Sequence, residues 1–409
     1  MRRPVSYPQR SERQQRLRQC LVFMVLLSTI GYEVPNVCAD RTLVPLPIFT
    51  ADPHEGNTYG ALLAIVEEQQ GAVRSLLVPQ ATWNPLLGFG SAVYYQHLLT
   101  HGAGYTLFAS QSTRNQAEYE VGYAHPALVQ GRYFFDGKLA YTNDRTARFF
   151  GLGAGSRKQD ETTYTSREVV GSVTLGWWVR PPLMISLTER LRSVSISRGI
   201  ETSLPFLRDK FLGLPGEKGA FVWAHRLALT FDARNGRETP TQGYFGHIFA
   251  ELAKPTFGSH AAFVRYGLEG RLLWPLLHDR LVTVLRGLVE RVEGAELPFF
   301  ELSALGGEDT LRGFGDKRFR DTGRLLLNIE ERIKLLSLTL RGIRTAFELA
   351  VFAEAGRVFP TFTLLGTRQV QTVVGAGLRL VVTSQIVAKI DIGLGKEGTA
   401  IFAGLHYPF

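Results

Sequence analysis

The residues with the clearest capacity for chemistry lie in the last quarter of the chain. Arg312-Gly313-Phe314 sits in a polar stretch, Leu305 to Phe319, that also holds Gly306 and Gly307. Arginine presents a planar fork of donors that suits carboxylates. Two carboxylates, Glu330 and Glu354, fall on the same parity of two consecutive strand-like segments downstream. A loop folding back between those segments plants Arg312 on one or both of them. Gly313 permits a sharp turn, and Phe314 offers a ring to pack the tip. The chemistry implied is an electrostatic latch. The bland alternative is a solvated charged loop, because Arg and Asp are ordinary loop residues.

Other patterns carry less. Gly393-Leu394-Gly395-Lys396-Glu397-Gly398 matches Gly-x-Gly-x-x-Gly, but a strand pattern follows where a helix is needed, so it reads as a tight hairpin. Gly151 to Ser156 lacks the lysine and the helix of a phosphate loop. The nine histidines are dispersed, with no His-Glu-x-x-His pair and no Gly-x-Ser-x-Gly elbow. His225 and His247 lie near Thr230 and Thr241 on neighbouring segments, where lumenal or interfacial polar roles are the simpler reading. The expectation is a non-enzyme with no catalytic residue, metal or cofactor.

Composition narrows the class. The chain has 409 residues, 45% hydrophobic and 20% charged, with 42 Gly, 3 Met and 2 Cys. That balance excludes a disordered chain, a disulfide scaffold and a cysteine-ligated zinc site. Glycine at this frequency argues against a helical bundle. The formal charge of +9 hints at nucleic acid, but six Arg against two Glu fall within residues 1–39. There the arginines precede an apolar run, Leu21 to Leu27, and the small-residue site Val37-Cys38-Ala39, the layout of a cleaved secretory signal. Both cysteines leave with it. The remainder carries 40 Lys+Arg against 35 Asp+Glu, scattered rather than clustered, so nucleic-acid binding is not expected. Residues 40–56 read as a short Pro-containing periplasmic lead-in, and 57–409 as one domain.

From residue 57 the hydrophobic period is two. Val264, Tyr266, Leu268, Leu272 and Trp274 alternate with Arg265, Gly267, Glu269 and Arg271. Ala388, Ile390, Ile392 and Leu394 alternate with Lys389, Asp391 and Gly393. A sandwich core could not take those charges, whereas a wet lumen can, so the pattern specifies an all-β transmembrane antiparallel barrel. Seventeen segments qualify between residues 57 and 409. Bacterial single-chain barrels have even counts, so one of the first six is in excess and sixteen strands are expected. Three long connections, 144–162, 197–221 and 293–321, are too long for hairpin turns. At the C-terminus, Ile401, Ala403, Leu405, Tyr407 and Phe409 share one face, a closing strand ending on an aromatic.

The stretch from Leu305 to Phe319 resembles the signature loop of the BamA/TamA-type outer-membrane assembly barrels, the bacterial surface antigen family. Their Arg-Gly-Phe or Arg-Gly-Tyr hallmark is matched by Arg312, Gly313 and Phe314, after Gly306 and Gly307. The Asn-x-Glu-x-Arg of the next strand is matched by Asn328, Glu330 and Arg332. The Phe-x-Asp-x-Gly of the one after is matched by Phe352, Glu354 and Gly356, with Glu in place of Asp. Five strands follow the loop, as in the family, and Leu405, Tyr407 and Phe409 resemble its C-terminal barrel signal. The resemblance implies an outer-membrane protein of a Gram-negative-type bacterium that inserts or translocates proteins or lipid-linked clients; family members usually carry periplasmic POTRA repeats before the barrel, and none is expected here because residues 40–56 leave no room for one. It implies outer-membrane lipid, unfolded outer-membrane or secreted proteins and a separate periplasmic protein as partners. The competing expectation is a passive pore or structural surface barrel that has lost assembly activity.

Overall fold

The computed structural model describes residues 40–409 except 70–71, 100–101, 237–238, 278–279, 341–342, 365, 367 and 383–385. The expected signal segment, 1–39, lies outside the described residues. Strands β1 (Asp40–Asp52), β2 (Gly56–Gln69), β3 (Ala72–Asn84), β4 (Gly88–Leu98), β5 (Gly104–Ser112) and β6 (Ala117–Ala127) open the chain. They are followed by β7 (Tyr133–Phe149), β8 (Thr162–Arg180), β9 (Leu183–Ser197), β10 (Gly219–Asp232), β11 (Gly243–Ala253), β12 (Phe263–Leu276) and β13 (Leu281–Glu293). A two-stranded ribbon, β14 (Ser303–Leu305) and β15 (Phe319–Asp321), lies within the next connection. The chain ends with β16 (Gly323–Leu340), β17 (Ile343–Phe359), β18 (Gln371–Val382), β19 (Ile386–Gly395) and β20 (Gly398–Gly404).

Apart from the ribbon, these strands form one 18-stranded antiparallel sheet closed on itself. The expectation of sixteen is therefore corrected. All seventeen anticipated segments are strands, and the Pro-containing lead-in contributes an eighteenth, β1, paired with β2 along its whole length. β1 escaped notice because Leu43, Val44, Leu46, Ile48 and Phe49 fall on both parities and Pro45 and Pro47 interrupt the run. Proline is tolerated on an edge strand, and β1 is close to being one.

Alternation builds the wall as anticipated. On β12, Val264, Leu268, Leu272 and Trp274 are exposed on the outer face, while Arg265, Glu269 and Arg271 turn into the lumen and are only partly exposed. Outward Tyr59, Trp83, Tyr119, Trp177 and Tyr244 are exposed as in the aromatic girdles of membrane barrels. Because neighbouring strands alternate direction, the connections after β7, β9, β13 and β17 open at one end. They do not float there. Phe149, Tyr164, Phe206, Leu207, Phe263, Phe299 and Phe300 form a buried apolar cluster that joins the connections after β9 and β13 to the ends of β7, β8 and β12.

The seam between the first and last strands is the thin place. β20 has seven residues, and it meets β1 at one pair, Ala51↔Ile401. Below that pair the seam is closed by side chains: Val44, Ala64, Val66 and Leu76 pack with Leu380, Val382 and Leu405. The expected closing strand through Phe409 is also corrected. Pairing stops at Gly404, and the hydroxyl of Tyr407 donates to Glu348 Oε2 on the lumenal face of β17, at 2.7 Å. Directly opposed antiparallel residues approach within the range a disulfide spans. The Ala51→Cys/Ile401→Cys variant should cross-link under mild oxidation in the refolded barrel, seen as an oxidant-dependent gel shift. Failure to cross-link would place the seam elsewhere.

Candidate functional site: a buried charge cluster in the lumen

The connection from β13 to β16 folds back into the barrel. Gly306 and Gly307 take left-handed φ values of 119° and 92°, which let the chain turn down from the ribbon. Gly313 has a different task from the sharp turn expected of it. A Cβ there would lie 2.6 Å from the backbone nitrogen of Gly395, and one on Gly393 would collide with the carbonyl of Arg312. The loop tip thus lies backbone-to-backbone on the lumenal face of β19, and the glycines read as a hairpin also form the platform beneath it. Phe314, almost wholly buried, meets Phe319 edge-on at 5.1 Å and joins Leu305, Leu311, Leu326 and Phe352 in an apolar cluster.

Arg312 is fully buried among carboxylates. Its Nε donates to Glu354 Oε1 at 2.7 Å, and its backbone N–H donates to Glu354 Oε2 at 2.7 Å. Nη1 donates to Glu330 Oε2 at 2.7 Å and to Asp391 Oδ2 at 3.2 Å. The guanidinium carbon sits 3.4 Å from the centroid of the Phe352 ring. Around this core, Arg332 Nε donates to Glu330 Oε1 at 2.9 Å, and Arg379 Nη1 donates to Asp391 Oδ1 at 2.5 Å. Asn328 bridges Glu354 and the carbonyl of Thr310 at 3.1 and 3.0 Å. Three guanidiniums face three carboxylates, all nearly solvent-free, drawn from the loop and from β16, β17, β18 and β19. Such a set holds together only when complete, because each partner left alone is an uncompensated charge in a dry site.

The structure therefore brings together Arg312, Glu330, Glu354, Asn328, Arg332 and Phe352, with Gly356 packed 3.0 Å (to an ideal Cβ) from Leu305. Reasoning from sequence missed Asp391 and Arg379. Both sit on the charged parity of their strands, but nothing local says that β18 and β19 pass beside the loop. It also missed a second anchor at the loop's other end. Glu301 accepts from Arg190 at 3.0 and 3.1 Å, from Arg192 at 3.1 Å and from Arg265 at 2.9 Å. The loop is pinned by a carboxylate to β9 and β12 and by a guanidinium to β16, β17 and β19. A bidentate pair from Arg318 to Glu397, at 2.6 and 2.8 Å, adds the β19–β20 hairpin, and His54 of the β1–β2 turn abuts Gly315. Among the described residues, the one group of metal-ligand types is Glu308, Asp309 and His406, and the ammonium of Lys389 already stands 3.2 Å from Glu308.

A closed antiparallel barrel with an outward apolar wall and an Arg-Gly-Phe loop seated in its lumen defines a class of outer-membrane barrel. The Omp85 superfamily domain matches residues 100–397, and the chain belongs to that superfamily. Among solved structures it is similar to BamA from Haemophilus ducreyi lacking POTRA domains 1-3, with 15% identity, a TM-score of 0.54, and 89% of this chain and 75% of that one covered. It is also similar to CdiB from Escherichia coli, with 12% identity, a TM-score of 0.54, and 95% and 71% covered. At these identities the likeness is one of fold. No curated protein matches the chain by sequence.

Two outcomes follow from the geometry. Arg312→Ala strands Glu354 and takes one of their cations from Glu330 and Asp391, and it should lower stability by about 3–5 kcal/mol, the cost of breaking a buried pair, measured by urea unfolding in lipid or detergent. An effect under about 1 kcal/mol would mean the cluster is hydrated, as exposed pairs are. At the other anchor, burial pushes the Glu301 carboxyl up, but Arg190, Arg192 and Arg265 outweigh it and hold it down at about 2. A depressed carboxyl stabilises the docked loop above the ordinary value of about 4.5, and that contribution is lost as pH falls toward about 2. Pepsin should leave residues 293–323 intact near pH 4 and cut them near pH 2, while Glu301→Gln is cut already near pH 4.

Proposed function

We propose that this barrel inserts or translocates polypeptide or lipid-linked clients at the outer membrane, without catalysis, and that residues 305–319 latch it from inside. The observation that carries this reading is the placement of Arg312. It joins the loop to strands on the C-terminal side of the seam, while His54 touches the same loop from the N-terminal side. The loop thereby spans a closure of one backbone pair, and loosening one would loosen the other. A route through the lumen or the seam is consistent with that coupling. Family membership supports an outer-membrane location, reached by way of the expected signal in residues 1–39. A separate periplasmic protein would supply client handling, and outer-membrane lipid would surround the wall.

The alternative, a passive pore, is disfavoured by one specific observation. The loop and the apolar cluster around Phe299 and Phe300 occupy the end of the lumen where the long connections meet. The test is reconstitution of the refolded barrel in liposomes, following the folding of an unrelated small outer-membrane barrel. Acceleration in the native protein that Arg312→Ala abolishes is the expected result. No acceleration, together with ion conductance that rises in the variant, would support the pore.

A further inference from the structure

The connection after β17 folds back along the outside of the wall. On that face Leu227, Ala250, Tyr266, Arg291, Gly323 and Phe359 stand in one row across six strands. Gly323 has no side chain, and the Phe359 ring lies where its Cβ would be. Phe362 packs on Phe359, with 5.3 Å between centroids, and reaches Tyr266 at 6.5 Å. The Arg291 guanidinium stands 5.6 Å from the centroid of Phe362 and donates to the carbonyl of Pro360 at 2.7 Å. Phe359 is therefore wholly buried on a face whose other large apolar side chains are mostly exposed.

This overhang closes one end of a groove of about 570 Å³ in the outer wall, floored by Leu227, Ile248, Ala250 and Leu268. Further along the strands Gly246, Gly270 and Gly287 lie opposite one another. A Cβ on Gly246 or Gly270 would meet nothing within 4 Å, so the channel runs on down the wall with no side chain in its way. A second cavity, of about 640 Å³, borders the same connection and is lined by Arg357, Arg368 and Asp321. Arg357 donates from Nη1 to the carbonyl of Gly366, and its Nε is buried without a hydrogen-bond partner among the described residues. Three arginines here face two acids, Asp321 and the Glu293 that pairs with Arg291 at 2.5 Å. A buried donor beside excess positive charge is matched by an anion.

We propose that the groove and the arginine-lined cavity together bind a membrane lipid with a phosphate-bearing, anionic headgroup. One acyl chain lies in the groove, and the phosphate meets Arg357 and Arg368. A lipid fits better than a protein partner because the groove opens on the apolar band, where hydrocarbon is the solvent, and the cations stand where that band ends. The inference rests on the outer-membrane location proposed above and not on any handling of clients.

The test mixes the refolded full-length barrel in detergent with phosphatidylglycerol or with phosphatidylcholine of the same acyl chains. Lipid retained through gel filtration is counted by mass spectrometry. The native protein should retain phosphatidylglycerol saturably and phosphatidylcholine far less. Arg357→Gln should weaken retention of phosphatidylglycerol about tenfold, as loss of a hydrogen bond to a charged group does. Ala250→Leu/Gly270→Leu, which fills the groove from outside and leaves the lumen untouched, should abolish it. Equal retention of the two lipids by the native protein, or retention indifferent to both variants, overturns the proposal. So does glycerol phosphate binding as tightly as the lipid, or a native dimer that the groove variant dissociates, which would seat a second copy there. Because the assay is run in detergent, its failure leaves the location standing, and a barrel found elsewhere in the cell leaves the assay unaffected.

Discussion

Arg312 carries a full charge into a place where its side chain has no exposure to solvent, and the rest of the lumen is arranged around that fact. Desolvating a guanidinium costs several kcal/mol, recovered only if carboxylates meet it at hydrogen-bond distance with their other oxygens satisfied. Here Glu354 takes the backbone and Nε, Glu330 and Asp391 take Nη1, and Arg332, Arg379 and Asn328 fill the remaining positions on those acids. If the loop departs, Glu330 keeps Arg332 and Asp391 keeps Arg379, but Glu354 is left with no cation, only Asn328. The loop is therefore part of the wall's electrostatic balance, and the wall specifies where the loop sits.

This dependence organises the molecule's weakest boundary. Strand pairing along most of the sheet is long and regular, so it offers little freedom. At the seam, one backbone pair and an apolar contact do the work of a full ladder. The loop compensates by reaching both sides, through Arg312 and Arg318 to the C-terminal strands and through Gly315 to the β1–β2 turn. Glu301 fixes the loop's entry to the far wall with charges of opposite sense. Reversing polarity between the two anchors prevents the loop from docking in the wrong direction, since neither end suits the other's site.

Period-two alternation made the barrel legible, and parity alone was enough to turn Glu330 and Glu354 toward Arg312. What escaped depends on closure, which no local pattern encodes. Asp391 and Arg379 show the right parity, yet their proximity to residue 312 exists only once the sheet has curled. β1 was hidden by Pro45 and Pro47, residues that argue against a strand anywhere except beside a seam. The tail of Tyr407 and Phe409 keeps perfect alternation and still leaves the sheet, because Pro45 and Pro47 of β1, more than three hundred residues away in sequence, offer it no N–H donors. Gly313 was assigned to the correct loop for the wrong reason: contact with β19, not backbone conformation, requires it.

The latch requires that the loop be held as firmly as the wall. Amide hydrogen exchange of residues 305–319 in the reconstituted barrel measures this directly, because protection reports the free energy of opening. If Arg312 binds as described, these amides exchange as slowly as those of β16, and Arg312→Lys, which keeps the charge but loses the fork, exchanges far faster. Exchange in the native protein as rapid as in the exposed residues 362–364 would contradict the account.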